Sequence, residues 1–466
     1  MKSRIIALFL LFVILLTSGF GCKVESAQVK EAMKPVIINY WRVWDDEDAF
    51  DAIIKRYNLV HPNIKIQYRK FRYEEYEKEL LNAMAEDRGP DIFSIPASWI
   101  GRYKTKIAPM PESTTLAYPE VVGTLKKETI TTVKTNKSLS LKDLKNNFVD
   151  VVYSDVVVKE KDLTTKQLKE KVYGLPMSVD TLALYYNKDL FNNAGISVMP
   201  EYWNKTFQQY VQKLSKQNTQ GDIIQSGMAF GSSNNIERVA DILSVLMMQN
   251  GAIMTSDTGN EIKFNQKMPG EDNDYYPGVE AIRFFVDFSN PAKEVYSWND
   301  KLDNSMKLFA GNKLAMMLGY AYQLPTIKAE APKLNFGIAK LPQIENAAQN
   351  TNYANYWVET VSKKSTFQNE AWDFVQYITK AEQAKEYLKK TKKPTALKAL
   401  VAEQLDDMEV GVFASQVLTA KSWYHGKDAQ AVDQILAEMI TQAKADPDKL
   451  PMAVTQAAQK VQQTLE

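Results

Sequence analysis

The chain has 466 residues, of which 57 are basic and 56 acidic, and its formal charge is +1. This balance argues against a nucleic-acid-binding protein, which usually carries a strongly basic face, and the length suggests two or three domains. Only two histidines, His61 and His425, are present, so the commonest general base and metal ligand is scarce. With 23 Tyr and 8 Trp, the composition favours a binder of neutral polar molecules over an enzyme, and we predict no cofactor and no metal site.

The N-terminus has the pattern of an export signal. Lys2 and Arg4 precede an uninterrupted apolar run over residues 5–16, which is shorter than the span of about 20 residues that a bilayer needs. Small residues and then Cys22, the single cysteine, follow this run. A positive end, a short apolar core and a small-residue exit are typical of a cleaved signal. We predict a signal peptide over residues 1–21 and lipidation of Cys22; the alternative is a plain secretory signal with an incidental cysteine.

The next part of the chain predicts an α/β sheet. Residues 22–35 are polar and irregular and predict a lipidated linker. Apolar runs and helical spacing then alternate, and a strand–helix–strand order implies parallel pairing with a right-handed crossover. The predicted strands are 36–40, 64–68 and 91–95, and the predicted helices follow the acidic residues 45–48 and cover 73–86. The lysine-rich stretch 126–171 has weak patterns; we expect a strand within 147–158 and an exposed loop or short helix over 164–171.

The alternation of strands and helices continues in the second half of the chain. Apolar residues at helical spacing predict helices over 207–216, 236–249, 280–290, 300–310, 369–378 and beyond 430. Short apolar runs closed by glycine or proline predict strands over 182–187, 314–318, 336–341 and 357–361. We expect a structural role for His61 and a surface role for His425.

Five stretches, taken in order, carry a family resemblance: VIINYWRVWDDEDAFDAIIKRYNLVHPNIKIQYRKF, GPDIFSIPASWIG, VYGLPMSVDTLALYYNKDLFNNAGI, GNKLAMMLGYAYQLP and GIAKLP. This ordered set resembles the extracellular solute-binding proteins of ABC importers, in the group that contains maltose-binding protein. The resemblance implies a type II periplasmic-binding-protein fold, in which two hinged α/β lobes enclose a ligand cleft. It also implies a sugar or oligosaccharide ligand, a membrane permease as partner, a monomeric state and no enzymatic activity. Together with the signal, it places the protein outside the cytoplasm, anchored to the outer face of the membrane.

The same resemblance divides the chain between the lobes. It implies that the chain crosses from lobe to lobe near residues 182–184, 355–358 and 394–397. The first lobe would hold 36–182 and 358–397, and the second lobe would hold 183–357 and 398–466.

Aromatic and planar polar residues near these crossings are the candidate ligand contacts. A sugar ring has apolar C–H faces and a rim of hydroxyl groups, which suit aromatic rings and a few polar side chains. Ligands in open α/β sheets bind at the carboxyl ends of the strands. The first-lobe candidates are Trp41, Trp44, Asp45, Asp46, Trp99 and Tyr173. The others are Tyr320, Tyr322, Asn355 and Trp357.

Structural roles compete with ligand binding at several of these positions. Trp41 or Trp44 could pack against the first helix, and Asp45 and Asp46 could cap it. Strand alternation predicts that Tyr320 and Tyr322 share one face.

Other functions stay open at this point. An exported glycoside hydrolase would need two carboxylates about 5–10 Å apart across the cleft. The same fold could instead bind a polyamine, a peptide or an anion, and a surface adhesin is a further alternative.

Overall fold

The computed structural model describes residues 26–124, 127–161, 166–268 and 274–465. The predicted signal peptide and Cys22 lie outside these residues. Within the described part of the chain, none of the helices combines the length and the apolar character that a membrane span requires.

The strands alternate with helices along most of the chain. The strands are β1 (Val36–Val43), β2 (Ile64–Phe71), β3 (Ile92–Pro96), β4 (Ser113–Val122), β5 (Glu128–Lys137), β6 (Val157–Lys161), β7 (Leu168–Val172), β8 (Asp180–Thr181), β9 (Ala183–Asn187), β10 (Lys216–Gln217), β11 (Ile223–Met228), β12 (Leu314–Gly319), β13 (Phe336–Ala339), β14 (Asn352–Asn355), β15 (Trp357–Val361) and β16 (Ala420–Lys421). The helices are α1 (Ala27–Ala32), α2 (Asp51–Val60), α3 (Tyr73–Ala85), α4 (Ile100–Tyr103), α5 (Leu141–Asn147), α6 (Asp150–Val156), α7 (Lys188–Asn193), α8 (Lys205–Leu214), α9 (Val239–Gln249), α10 (Pro277–Asp287), α11 (Ser305–Ala310), α12 (Leu324–Glu330), α13 (Gln368–Ile378), α14 (Ala381–Thr391), α15 (Lys398–Gln404), α16 (Gly411–Ala414), α17 (Ala429–Ala445) and α18 (Leu450–Gln463).

The first lobe is built on a sheet with the strand order β15-β3-β1-β2. β1 pairs in parallel with both β2 and β3, and β15 closes the other edge antiparallel to β3. The parallel pairs follow from the intervening helices, because a parallel connection needs a crossover. α2 covers the sheet with its buried residues Ile53 and Tyr57, which lie four positions apart and therefore on one helix face.

The second lobe is built on a sheet with the order β10-β11-β12-β9-β13. Its central strand β12, LAMMLG, is buried along its whole length, as expected for a strand covered on both faces. α9 is buried at nine consecutive positions from Val239 to Met247. Two separate hydrophobic cores result, one for each lobe, so the molecule has two α/β lobes.

A third sheet, with the order β16-β14-β8, joins the lobes. β14 pairs antiparallel with β8 and in parallel with β16. The resemblance implied a third crossing near residues 394–397. Ala396 and Leu397 pack in the first core, together with Leu400 and Val401 of α15, and further along the chain β16 pairs with β14 in the joining sheet.

The lysine-rich region departs most from the sequence-based predictions. β4 and β5 have ten residues each and pair antiparallel, with Ser113 opposite Lys137. The segment expected to contain a strand within 147–158 is mainly the helix α6, with β6 beginning at Val157. The segment expected as a loop or short helix over 164–171 contains β7, which pairs with β6. These paired strands bury only a few side chains, so they lack a clear apolar period, and in β6 and β7 lysines stand at alternate positions.

Candidate functional site

A cavity of about 1000 Å³ lies between the two lobes. Its lining includes first-lobe residues such as Trp44, second-lobe residues such as Tyr322, and Ala354 and Asn355 of the joining strand β14. Cavities of this size are typical of small-molecule sites, in which a few polar groups set orientation. The cavity is therefore the candidate site.

Aromatic rings form the first-lobe wall of the cavity. The Trp44 ring stacks on Tyr73 with a centroid distance of 5.3 Å and meets Trp357 edge-on at 6.4 Å. Trp357 in turn lies 6.5 Å from Trp99. These distances fall within the favourable range for aromatic pairs, so the rings hold one another in place and present a continuous apolar surface.

The lobes touch across the cavity through two of these rings. The centroids of Trp44 and Tyr322 lie 6.2 Å apart, with an angle of 26° between the ring planes. Both side chains remain nearly half exposed, at 48% and 43%. Trp44 also has a φ of +75°, a left-handed conformation that is unusual for a bulky residue and is found mostly where function requires it.

Buried charges support the loop that carries Trp44. The Lys393 Nζ lies 2.6 Å and 2.8 Å from the two carboxylate oxygens of Asp45. The Tyr387 hydroxyl donates to the same carboxylate at 2.8 Å. Arg42 lies 3.2 Å from Asp45 and 3.3 Å from the fully buried Glu359. Burial alone would raise the pKa of Asp45, but Arg42 and Lys393 hold that pKa below its usual value.

Polar side chains dominate the second-lobe wall. Asp241 accepts hydrogen bonds from the Arg238 Nε at 2.9 Å, from the Tyr320 hydroxyl at 2.6 Å and from the Asn355 amide at 3.2 Å. Arg238 itself has a φ of +55° just before α9. Asp433 of α17 also faces the cavity. This wall offers a guanidinium, an amide and carboxylates, which are the groups that bind sugar hydroxyls.

Asp180 connects the joining sheet to the segment that carries Tyr322. Its carboxylate accepts hydrogen bonds from the backbone N–H groups of Thr181, Ala321 and Tyr322, at 2.9, 3.0 and 3.1 Å. Burial raises the pKa of this carboxyl group to about 7, although the three N–H donors favour its charged form. The position of Tyr322 thus depends on a buried acid at the junction of the lobes.

The opposite edge of the joining sheet has its own contact between lobes. Asp155 of α6 accepts a hydrogen bond from the Tyr356 hydroxyl at 2.6 Å and lies 2.8 Å from the His425 Nε2. Burial lowers the pKa of His425, but the bond to Asp155 raises it above its usual value overall. Beside this pair, a Cβ on Gly101 would lie 2.3 Å from the Gly426 carbonyl oxygen. Glycine is therefore required for the lobes to approach this closely.

Six of the ten predicted contact residues line the cavity. They are Trp44, Asp45, Trp99, Tyr322, Asn355 and Trp357. The other four, Trp41, Asp46, Tyr173 and Tyr320, lie outside the lining.

These four residues have other surroundings. Trp41 is buried 4.6 Å from Phe71, because β1 continues three residues beyond its predicted end. Asp46 is exposed and pairs with Lys70 at 2.8 Å. Tyr173 is buried beside Glu160, which together with burial raises the pKa of the tyrosine. Tyr320 is fully buried behind Tyr322, with their rings stacked at 5.7 Å.

The shared face predicted for Tyr320 and Tyr322 was wrong. The strand β12 ends at Gly319, and residues Ala321–Gln323 form a 3-10 turn, so strand alternation does not apply there. His61 is buried, and its Nδ1 lies 3.1 Å from the Ala117 carbonyl oxygen, which agrees with the structural role expected for it.

Apart from Asp45, sequence reasoning did not identify the charged groups of the site. Asp180 lies inside a motif that was recognised, but nothing local marked its carboxylate as important. Arg238, Asp241 and Asp433 lie in segments that were interpreted only as helices. Tyr73 begins α3, and its proximity to Trp44 depends on the pairing of β1 with β2.

Comparison with known proteins places the chain in a family. The family model described as bacterial extracellular solute-binding protein matches residues 44–385. The multiple sugar-binding protein of Streptococcus mutans is 26% identical over 238 residues, which cover 50% of this chain and 53% of that protein. The galactooligosaccharide-binding protein of Bacillus subtilis is 21% identical over 378 residues, covering 81% and 76% of the two chains. The chain thus spans about half the length of the first relative and three quarters of the second.

Solved structures share the fold. The cyclic alpha-maltosyl-1,6-maltose binding protein from Arthrobacter globiformis has a TM-score of 0.69 and 18% sequence identity, and the match covers 92% of this chain and 99% of that one. At this level of identity the likeness concerns the two-lobed fold.

Proposed function

Because the chain belongs to the bacterial extracellular solute-binding protein family, we propose that it captures a sugar or oligosaccharide between its lobes and delivers it to an ABC importer permease. The names of the two sugar-binding relatives support this choice of ligand. The structure supports it with a cavity that has an aromatic wall on one side and polar groups on the other.

The aromatic wall is the observation that carries the proposal. Trp44, Tyr73, Trp99 and Trp357 present ring faces and edges to one cavity, where a hydrophilic surface would be expected if the cavity held only water. Ring faces match the C–H faces of a sugar, and the Arg238–Asp241 pair with Asn355 matches its hydroxyl groups. A small anion would use few of these apolar faces.

Capture depends on contacts from both lobes. A ligand that touches Trp44 or Trp357 on one side and Tyr322 on the other favours the closed arrangement by its difference in affinity for the closed and open states. The Trp44 and Tyr322 rings are too close to admit a sugar ring between them. The ligand therefore lies beside this pair or separates it on entry.

Export and membrane attachment form a further part of the proposal. The apolar run over residues 5–16 and Cys22 support a cleaved signal and a lipidated first residue. A lipid anchor would keep a monomeric binding protein close to its permease. Mass spectrometry of the membrane fraction tests this directly, because a chain that retains residues 1–21 or an unmodified Cys22 contradicts it.

A thermal-shift screen against neutral mono- and oligosaccharides, followed by calorimetry, tests the ligand proposal. A bound sugar raises the melting temperature by mass action. Tyr322→Ala should then weaken binding by about 1–3 kcal/mol, the usual scale for an aromatic anchor. Tyr202→Ala is the matched control, since Tyr202 is similarly exposed at 37% but lies outside the cavity lining. The proposal fails if no sugar binds, or if product analysis shows that oligosaccharides are hydrolysed.

A further inference from the structure

The cationic side chains that line the cavity are all neutralised by carboxylates. They are Arg42, Arg238, Lys328, Lys390, Lys392 and Lys393. Arg42 and Lys393 pair with Asp45, and Arg238 pairs with Asp241 at 2.8 Å. Towards the rim, Lys390 lies 2.8 Å from Asp48, Lys392 lies 3.2 Å from Asp407, and Lys328 pairs with Glu409. None of these six cations is left without an acidic partner to receive an anionic ligand.

The carboxylates of the cavity are not balanced in the same way. Asp180 accepts only backbone N–H groups, and Glu237 accepts the amide of Asn304 at 2.7 Å. Asp433 makes no hydrogen bond or ion pair to the described residues, although it faces the cavity and lies near the Arg238–Asp241 pair. The excess charge of the cavity is therefore negative.

Asp433 keeps its charge at pH 7.5 although its surroundings disfavour the ionised form. Loss of hydration at the cavity and repulsion by the Asp241 carboxylate raise the pKa of Asp433 to about 6, and the nearby Arg238 guanidinium opposes this rise only in part. Asp433 is thus mostly ionised at pH 7.5. The guanidinium of Arg238 is already engaged by Asp241 through two nitrogens, a bidentate geometry that is costly to give up.

This arrangement has a consequence for the ligand. An ionised ligand group near Asp433 would be repelled, and it could gain a cation only by breaking an existing ion pair. A hydroxyl or an ammonium group would instead donate to the unpaired carboxylate. Like charges placed together are a common means of rejecting unwanted ligands.

We propose, on the basis of the proposed function, that the cavity selects neutral or amine-bearing sugars and rejects anionic ones, and that Asp433 is a specificity-determining residue. Asp433 discriminates by leaving one carboxylate free in a site whose cations are all paired. This assigns a ligand class among the solutes that the fold could hold, and it excludes phosphorylated sugars and uronic acids.

Calorimetry at pH 7.5 with a panel of probes tests this proposal on the mature chain. The neutral probes are maltotriose, mannotriose and galactotriose; the amine-bearing probe is the glucosamine trimer; the anionic probes are trigalacturonate and maltose 1-phosphate. We expect at least one neutral or amine-bearing probe to bind, and every anionic probe to bind at least tenfold more weakly than the best of them. An anionic probe that binds as tightly as the best neutral probe overturns the proposal.

Two variants of α17 assign the effect to one residue. Asp433→Lys should reduce the discrimination against anionic probes at least tenfold, because it replaces the free negative charge with a positive one. Glu438→Gln, which removes an acid from the same helix outside the cavity, where Glu438 pairs with Lys460, should leave the discrimination within twofold of the unchanged protein. Equal discrimination in Asp433→Lys and the unchanged protein contradicts the role of Asp433. If no probe binds to any of the three proteins, the proposed function itself fails.

Discussion

The two walls of the cavity are built in different ways. The first-lobe wall consists of aromatic rings that support one another, above buried groups of opposite charge that pair with one another. The second-lobe wall consists of Tyr322 and of charged groups that face the cavity, including the free carboxylate of Asp433. The first wall can supply contact area and the second can supply orientation, so a ligand needs both walls together. This difference explains why closure of the lobes, and not either lobe alone, should create affinity.

Removal of the buried guanidinium of Arg42, below the first-lobe wall, should have the largest effect on stability. Arg42→Met leaves Asp45 and Glu359 buried with less compensation, and loss of one partner of a buried ion pair costs about 3–5 kcal/mol. Equilibrium denaturation with urea measures the change. Arg88→Met is the control, because Arg88 and its partner Glu86 are both exposed, and its effect should be small. Equal effects of the two variants would show that the buried charges do not support the aromatic wall.

A methyl group at the close contact between Gly101 and Gly426 should have the next largest effect. In Gly101→Ala the new Cβ would lie within 2.3 Å of the Gly426 carbonyl oxygen, so the lobes must separate or the loop must shift. We expect a loss of about 1–3 kcal/mol of stability, the range for overpacking, and weaker ligand binding. Gly311→Ala is the control, where the nearest atom, the Lys307 carbonyl oxygen, lies at 3.1 Å. Unchanged binding in Gly101→Ala would mean that this contact does not limit closure.

Two substitutions of Trp44 distinguish the contribution of its ring from that of its backbone conformation. Both Trp44→Gly and Trp44→Ala remove the ring, but only glycine accommodates a φ of +75° without strain. The glycine variant should therefore be more stable than the alanine variant by about 1 kcal/mol. At Tyr202, where φ is not positive, the order should reverse. Denaturation with urea measures the stability of Trp44→Gly, Trp44→Ala, Tyr202→Gly and Tyr202→Ala. If Trp44→Ala is more stable than Trp44→Gly, the backbone at Trp44 is not strained.

A further effect concerns the pH dependence of stability on the second-lobe side. The pKa of Asp180 is about 7 in the folded protein and about 3.9 in an unfolded chain. The folded state therefore binds this proton more tightly, and the free energy of unfolding should fall as the pH rises from about 4 to 7. The slope for one group is at most about 1.4 kcal/mol per pH unit.

Asp180→Asn isolates this contribution. The difference in unfolding free energy between the unchanged protein and the variant should decrease steadily over that pH window. A constant difference would show that the three N–H donors keep Asp180 ionised at every pH in the window.

The sequence predicted the parts of the fold that depend on local patterns. The strands β9, β12 and β13 and the helices α3 and α13 lie close to their predicted positions, because apolar residues recur there with a clear pattern. The end of β1 was predicted three residues early, and this small error moved Trp41 from a loop into the core.

The charged part of the site could not be read from local patterns. Lys393 meets Asp45 across a separation of 348 residues, and Tyr73 meets Trp44 only because β1 and β2 are neighbours. Aromatic residues that follow a strand do line the cavity, as at Trp44 and Trp99. Single acids such as Asp433 lacked any such marker, since an exposed carboxylate on a helix usually faces bulk water.

The joining sheet implies where the molecule bends. One residue, Leu182, separates β8 from β9, and one residue, Tyr356, separates β14 from β15. Both side chains are buried, so a bend at these two positions would take place within tightly packed interior and not in loose surface loops. A change of opening angle must repack the atoms around these two side chains. We therefore expect the rate of solute exchange to have a steep temperature dependence, set by the mobility of the interior.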